Sequence, residues 1–500
     1  MTAVDGREGR LDLRLVPAAL TSWAVTAAGI LWPAAVVVLL LLLAVGVATA
    51  AAWRGSRRQP THDSARMTAA GVVAIASVGL GFAVAVLLRV EQVHDHPLTD
   101  RYGSVAAVTV TPSETPRSLG GGRLMFRGQL EALGADESSG RVLVFASVAD
   151  FAELSVGQPA AFTARISRPN RRDLTVAVLS ATGDPRFGEA ATIQRAGQRV
   201  RTAFAAAARD SLPVEQAAML PALVLGDTSA VSADVTKQFR ISGLTHLTAV
   251  SGANVTIVCG AVLLTAVVVG PRVAVVLAAA ALVAFVIVVQ PSASVLRAAV
   301  MAAITLLAVL THRRRQAIPA LSAAVIALLV ASPELAVDVG FALSVSATAA
   351  LVVIAPSWSR RLVARRWPKP LADAVSVAAA AQLVTAPLVA GISGTFSVVA
   401  VVANLAAAVV VAPITIVGTA AAALSVWWPA GAGLLIRFTG PEVWWLLNVA
   451  RLAAGLPGAA LSVPSGVAGA LSVAATGVAV VVLSRWCPRW LSARHETIDG

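Results

Sequence analysis

Residues 226–258 read GDTSAVSADVTKQFRISGLTHLTAVSGANVTIV and set a cluster of polar groups at the start of a long apolar segment. Hydrocarbon offers no partner to His246, Thr248, Ser251 or Asn254, and each unpaired polar group there costs several kcal/mol. Residues of this kind therefore face a protein interior or a wet cavity, and they mark the working part of a membrane protein.

Composition points the same way. Of 500 residues, 57% are hydrophobic and 13% charged, and the mean hydropathy is +0.79. That excludes a water-soluble fold built on one core and implies a polytopic membrane protein. The balance of 39 basic and 26 acidic residues, +13, is carried by arginine, with Lys237 and Lys369 as the lysines. Arginine's planar fork suits phosphate, but an Ala-, Val- and Arg-rich composition also follows from genomic base bias, which is the preferred reading until a basic face is located. Cys259 in an apolar segment and Cys487 near the C-terminus have no metal-site spacing.

Residues 17–53 are nearly uncharged, too long for one span and interrupted by Trp32-Pro33, so they read as a helical hairpin retained as an anchor. A third span follows at 67–88. Arg54, Arg57, Arg58 and Arg66 lie between, which places that loop in the cytoplasm and the chain after 88 outside. Residues 101–185 have ordinary polarity and five short strand-like runs separated by turns, a small extracytoplasmic β-domain inserted after the third helix. Residues 187–240, with Arg195, Arg199, Arg201 and Arg209 at helical spacing, read as amphipathic connector helices near the membrane surface.

From 241 to 486 the chain is membrane again, with spans expected at about 244–269, 271–289, 294–311, 317–332, 336–355, 371–391, 396–426 and 466–485. The basic loops at 311–316 and 359–369 both fall on the cytoplasmic side of this alternation. The segment 431–455 carries Arg437, Glu442, Arg451 and a tryptophan pair, so it either spans or lies at the interface. The preferred arrangement spans and leaves the tail 487–500 cytoplasmic. The expected fold is thus a polytopic α-helical membrane protein of about 11–12 transmembrane helices, with residues 1–90 forming its first three.

The ordered blocks LVLGDTS, FRISGLTHLTAVSGANV, PSASVLRAAVMA, SPELAVDVGFALSVSA, QLVTAPL and VVANLAAAVVVAPI, over about residues 210–425, resemble the competence domain of the ComEC family. The segment before them resembles that family's N-terminal helices and OB-fold-like external domain. The resemblance implies a bacterial plasma-membrane channel that passes single-stranded DNA during natural transformation. It also implies a DNA receptor, a separate nuclease and a cytoplasmic helicase-type motor as partners, beside membrane lipids. Monomer and homo-oligomer both stay open. Where the family usually has SGLHV, Ala253 and Asn254 replace the Leu and His, which puts metal or proton chemistry at that position in doubt.

Candidate cavity residues are His246, Ser251, Asn254, Arg297, Asp338, Gln382 and Asn404. Their bland reading is helix-start satisfaction and interhelical bonding. Arg297, inside an apolar span, calls for a carboxylate, a carbonyl cluster or a substrate phosphate; Asp338 is the most obvious partner, with Asp227 and Glu334 as alternatives, or it snorkels. Gln382, Thr385 and Pro387, with Asn404 and Pro413, suggest kinked helices at a cavity. Arg165, Arg168, Arg171 and Arg172 suggest a groove for a phosphate backbone, although Glu114, Glu131 and other acids share the domain. Phe126, Phe145 and Phe162 read as core rather than stacking platforms.

No HxHxDH-type nuclease cluster and no GxxxxGK[ST] loop occurs, so neither catalysis, nor a cofactor or metal, nor an ATP-driven pump is expected. His94-Asp95-His96 reads as solvated linker. The competing functions are a secondary transporter or lipid-linked substrate carrier using the same polar cavity, and, more weakly, an enzyme pairing His246 with Asp227.

Overall fold

The computed structural model describes residues 12–37, 63–290, 293–310 and 316–479. The second arm of the expected N-terminal hairpin, the arginines at 54–58 and 313–315, and the C-terminal tail lie outside the described residues. Among those described, five helices are long and apolar enough to cross a membrane, and six shorter apolar helices of 10–17 residues accompany them. The chain divides into two compact units: residues 1–206, 251–342 and 422–429 form the first, and 207–250, 343–421 and 430–500 the second.

In the first unit, helix α1 (Val16–Leu31) stops at Trp32, where φ is −138° and ψ 66°. Pro33 disfavours helical geometry in the residue before it, so the break falls where the sequence placed it. The buried Ser22 and Thr26 hydroxyls donate back to the carbonyls of Ala19 and Ser22 at 2.9 and 2.7 Å, so neither is orphaned. Helix α2 (Asp63–His94) packs on α1. Its 32 residues reach about 48 Å, more than the ~30 Å hydrocarbon layer, so its end stands clear to meet the β-domain.

Six strands follow: β1 (Val105–Pro112), β2 (Arg117–Gly120), β3 (Arg123–Leu133), β4 (Asp136–Ser147), β5 (Ala160–Ser167) and β6 (Ala177–Phe187). Pairing closes the circle β1–β3–β4–β6–β5–β1, with β4 and β6 parallel and the other pairs antiparallel. Alternate residues of β3, β4 and β5 point inward, and Phe126, Val144, Phe162, Ile166 and Leu179 fill the barrel. Phe151, on the turn that Ser147 caps, meets Phe162 edge-on at 5.3 Å and seals one end. Two expectations change here. β2, exposed on both faces, adds a sixth strand, and Phe145 lies on the outer surface under Arg123 rather than in the core.

His96 corrects the solvated-linker reading. His94 and Asp95 are exposed, but His96 is buried, its Nδ1 accepting from the Leu98 N–H at 3.2 Å while Nε2 lies 3.2 Å from the Ser138 hydroxyl. The ring plugs the junction between α2 and β4.

Three contacts seat the barrel on helix ends of its unit. Arg172 donates to the Leu31 carbonyl at 2.6 Å, and the Thr115 hydroxyl donates to Gln290 Oε1. Arg141 meets Glu334 at 2.8 Å as a close ion pair rather than an aligned hydrogen bond. Helix α3 (Thr192–Ser211) is amphipathic as expected, but its Gly197, Arg201 and Phe204 face is buried in protein. The next helix, α4 (Val214–Leu225), departs from the amphipathic expectation: it is apolar, and buried from Met219 to Leu225.

The rest of the second unit contains α5 (Ala233–Ile241), then, beyond the first-unit helices α6 (Gly252–Leu264), α7 (Pro271–Val289), α8 (Ala293–Leu310) and α9 (Ala317–Ala331), the run α10 (Val339–Val353), α11 (Ala355–Ala364), α12 (Lys369–Ser393), β7 (Thr395–Ser397), α13 (Ala400–Leu424), α14 (Pro429–Phe438), α15 (Gly440–Gly455) and β8 (Ala460–Ser462). The segment expected as one span over 431–455 is two helices of 10 and 16 residues broken at Thr439, with α15 packed on α4 and α5. Each is shorter than the about 20 residues a span requires. The span expected from 244 likewise starts as a helix only at Gly252, because a 3-10 turn at Thr245–Leu247 precedes it.

Burial lowers the His96 pKa from 6.5, with a hydrogen bond to the Ser139 backbone opposing the shift. The neutral ring therefore contributes stability that is complete above pH 6.5 and lost as pH falls through the lower folded value. Hydrogen-exchange protection at residues 96–102, relative to the intrinsic rate at each pH, is expected to fall over that window in the wild type and to stay flat in His96→Gln; equal pH dependence in both would remove this role.

Candidate functional site

The candidate residues gather in two clusters, one in each unit. In the first unit, Ser251 caps α6, its Oγ accepting from the Ala253 N–H at 3.2 Å and lying 3.5 Å from Asn254 Oδ1. Gly252 follows because there is no room for more: a Cβ there would lie 3.1 Å from Arg297 Nη2 and 3.3 Å from the Ala298 methyl. Arg297, on α8, is 5% exposed, as is Asn254. Its guanidinium lies against this first turn of α6, with Nη1 3.2 Å from Met301 Sδ. Ser251, Asn254 and Arg297 thus come together around one glycine.

The sequence's first choice of partner for Arg297 is corrected. Asp338 caps α10, accepting from the Phe341 N–H at 2.7 Å, because a helix start leaves its first N–H groups without intrahelical acceptors. Glu334 is taken by Arg141. Asp227 accepts from the Ser229 N–H at 3.2 Å and hydroxyl at 2.6 Å and, like Arg297, makes a further contact.

In the second unit the centre is Gly243, which ends α5 with φ +74°. That backbone conformation favours glycine, and a Cβ would also lie 2.6 Å from the Ala400 Cβ. His246 lies exposed on the 3-10 turn that follows. Gln382 Nε2 donates to the Ser397 carbonyl at 3.4 Å, and Asn404 Nδ2 donates to the Ala400 carbonyl at 2.8 Å. Ser397 Oγ, near Gly243, is buried without a hydrogen-bond partner among the described residues. Gln382 and Asn404 therefore border the close approach of Gly243 to the β7–α13 junction, and His246 follows three residues after that glycine.

Of the four basic residues assigned to a barrel groove, all exposed, Arg168 stacks over Tyr102 at 5.6 Å and Arg172 donates to the Leu31 carbonyl. Sequence reasoning passed over two arginines. Arg201, 4% exposed, reaches the Val288 carbonyl at 3.3 Å, and Arg141 holds Glu334. For Arg201 a signal existed: it shares the i, i+3 and i+7 stripe of Phe204 and Ala208, which marks a buried face. Among the described residues, no three His, Cys, Asp or Glu side chains are grouped to hold a metal ion.

Replacing Gly243 by Ala is expected to lower the thermal midpoint in detergent, for a cost of about 1–3 kcal/mol, through both strain and overlap. Gly260→Ala, in open space on α6, is the control and should hold or raise the midpoint. Equal effects would show that the approach at Gly243 is not the constraint.

Residues 223–488, more than half of the chain, match the family described as Competence protein, and both clusters except the barrel contacts lie within that stretch. No curated protein and no solved structure matches the chain. The chain belongs to the Competence protein family.

Proposed function

We propose that this chain is a channel that passes single-stranded DNA across the cytoplasmic membrane of a bacterium during competence. Membership in its family implies a role in DNA uptake. The observation that carries the finer reading is the burial of Arg297 against Gly252 beside Asn254 in helices that are otherwise apolar. Its planar fork is suited to a phosphate backbone passing that point. The chain performs no chemistry on the DNA in this reading; a receptor, a nuclease and a cytoplasmic motor act beside it.

The barrel supports the same reading. Its cyclic strand order, with one parallel pair between β4 and β6, fits an OB-like barrel. Such barrels take oligonucleotides on the sheet face made by the second and third strands of the barrel, here β3 and β4. That face and the adjoining β2 present Arg117, Arg123, Arg127 and Phe145, with the Arg123 guanidinium 5.6 Å from the Phe145 ring centre. Cations beside an aromatic surface suit a single strand, whose phosphates and base faces are both open. The β2–β4 face is proposed beside Arg165–Arg172 as the surface for DNA.

Purified full-length chain should bind a labelled single-stranded oligonucleotide more weakly by about tenfold when Arg117, Arg123 and Phe145 are replaced by Gln, Gln and Ala. Replacing Arg165 and Arg171 by Gln should change it little, and the reverse order would return the groove to β5.

Uptake of labelled transforming DNA into a DNase-protected compartment tests the channel itself, comparing wild type, deletion and Arg297→Ala at matched membrane abundance. Surface-bound DNA retained with protected DNA lost in both mutants is the expected result. Unchanged protected DNA in the deletion strain would turn the assignment to a secondary transporter.

A further inference from the structure

Arg360, Arg361, Arg365, Arg366 and Lys369 place five cations within ten residues at the junction of α11 and α12, and all five are exposed. The nearest acid is engaged locally: Asp373 takes Lys369 at 2.8 Å and accepts the Ser359 hydroxyl. The four arginines have no ion pair or side-chain hydrogen bond among the described residues. The apolar face of α11 is used inside the protein, where Ala355 and Trp358 pack with Ala350 and Ala380. What α11 turns outward is therefore its cationic side.

The turn itself is built against local preference. α11 ends with the Trp367 N–H bonded to the Leu362 carbonyl at 3.1 Å and the Arg366 N–H to the Val363 carbonyl at 2.9 Å. This closing pattern puts its next-to-last residue in the left-handed region, where glycine is usual. Here that residue is Arg366, at φ +65°. A side chain kept at a strained position points to a use for it. Trp367, 42% exposed, and Val363, 40% exposed, border the cations.

Depth fits a membrane surface. The helical stretch Val339–Ala364 has 26 residues, at most about 39 Å, against a hydrocarbon layer of ~30 Å. The arginines cluster where this stretch ends and the spanning helix Lys369–Ser393 begins. Two membrane helices therefore deliver the same patch to the level of one leaflet's phosphates, where tryptophan also partitions.

We propose that the α11–α12 turn binds anionic phospholipid headgroups, with Arg360, Arg361, Arg365 and Arg366 on the phosphates and Trp367 at the boundary with the acyl chains. The site goes beyond the channel reading and stands whether or not the chain conducts DNA.

The test uses purified full chain in neutral detergent, titrated with phosphatidylglycerol or phosphatidylcholine. Retained lipid is counted by native mass spectrometry, and the thermal midpoint is followed in parallel. Phosphatidylglycerol should be retained about fivefold over phosphatidylcholine, with the preference weakened by salt. Replacing all four arginines by Gln should bring the ratio near one. R366G should raise the lipid-free midpoint, by relieving the left-handed Arg, while lowering phosphatidylglycerol retention. Those opposite movements decide the matter alone if the fourfold variant does not fold. Equal retention of the two lipids, or a preference unchanged in R366G and the fourfold variant, would overturn the proposal. So would a thymidine oligonucleotide held through these arginines while phosphatidylglycerol shows no preference, which would assign the patch to nucleic acid.

Discussion

A backbone N–H or C=O in hydrocarbon has no water to bond, and this constraint governs every place where the membrane helices of this chain break. Between α5 and α6 the chain leaves helical geometry for ten residues, and short side chains close the deficit. Ser242 donates to the Phe239 carbonyl at 3.3 Å, Thr248 donates to the Thr245 carbonyl at 2.8 Å, and Ser251 accepts from Ala253. The polar residues that look like substrate-handling groups thus first make the break itself tolerable. Arg297 differs in kind. It lies within the continuous helix α8 and reaches the first turn of α6 from there.

The second requirement is close approach without a hydrophobic drive between helices, which small residues provide. Gly418 meets α4 so closely that a Cβ would lie 2.4 Å from Val224 Cγ2. Gly243 and Gly252 do the same at the two polar clusters. In each case the missing side chain brings a backbone or a polar group against a neighbour. The same device that packs the apolar helices also sets His246 and Arg297 in position, so packing and site share their determinants.

Strand existence was legible because period-two alternation is local, and five of the six strands follow it. β2 escaped because it is exposed throughout and so has no alternation to read. Helix starts moved inward where a 3-10 turn or a short strand occupies apolar sequence, as at Thr245–Leu247 and Thr395–Ser397. Composition cannot separate those from helix. Roles that depend on distant partners left no local trace: Arg172 meets Leu31 across 141 residues, and His96 meets Ser138 across 42. Gln382 and Asn404 were expected only as polar residues of kinked helices; their meeting at Ser397 and Ala400, against Gly243, is a property of the fold.

Genomic bias was the simpler account of the arginine excess, and it explains why lysine is so scarce. It does not explain where the arginines stand. Arg141, Arg168 and Arg172 hold the barrel through an ion pair, a ring contact and a carbonyl. Arg201 and Arg297 are buried. Arg168 uses the flat, weakly hydrated face of its guanidinium, which an ammonium does not supply. Arg366 is placed against its own backbone preference. A bias in composition would scatter arginine over tolerant surface positions, whereas these positions are intolerant ones, so the excess charge is better read residue by residue than as a single number.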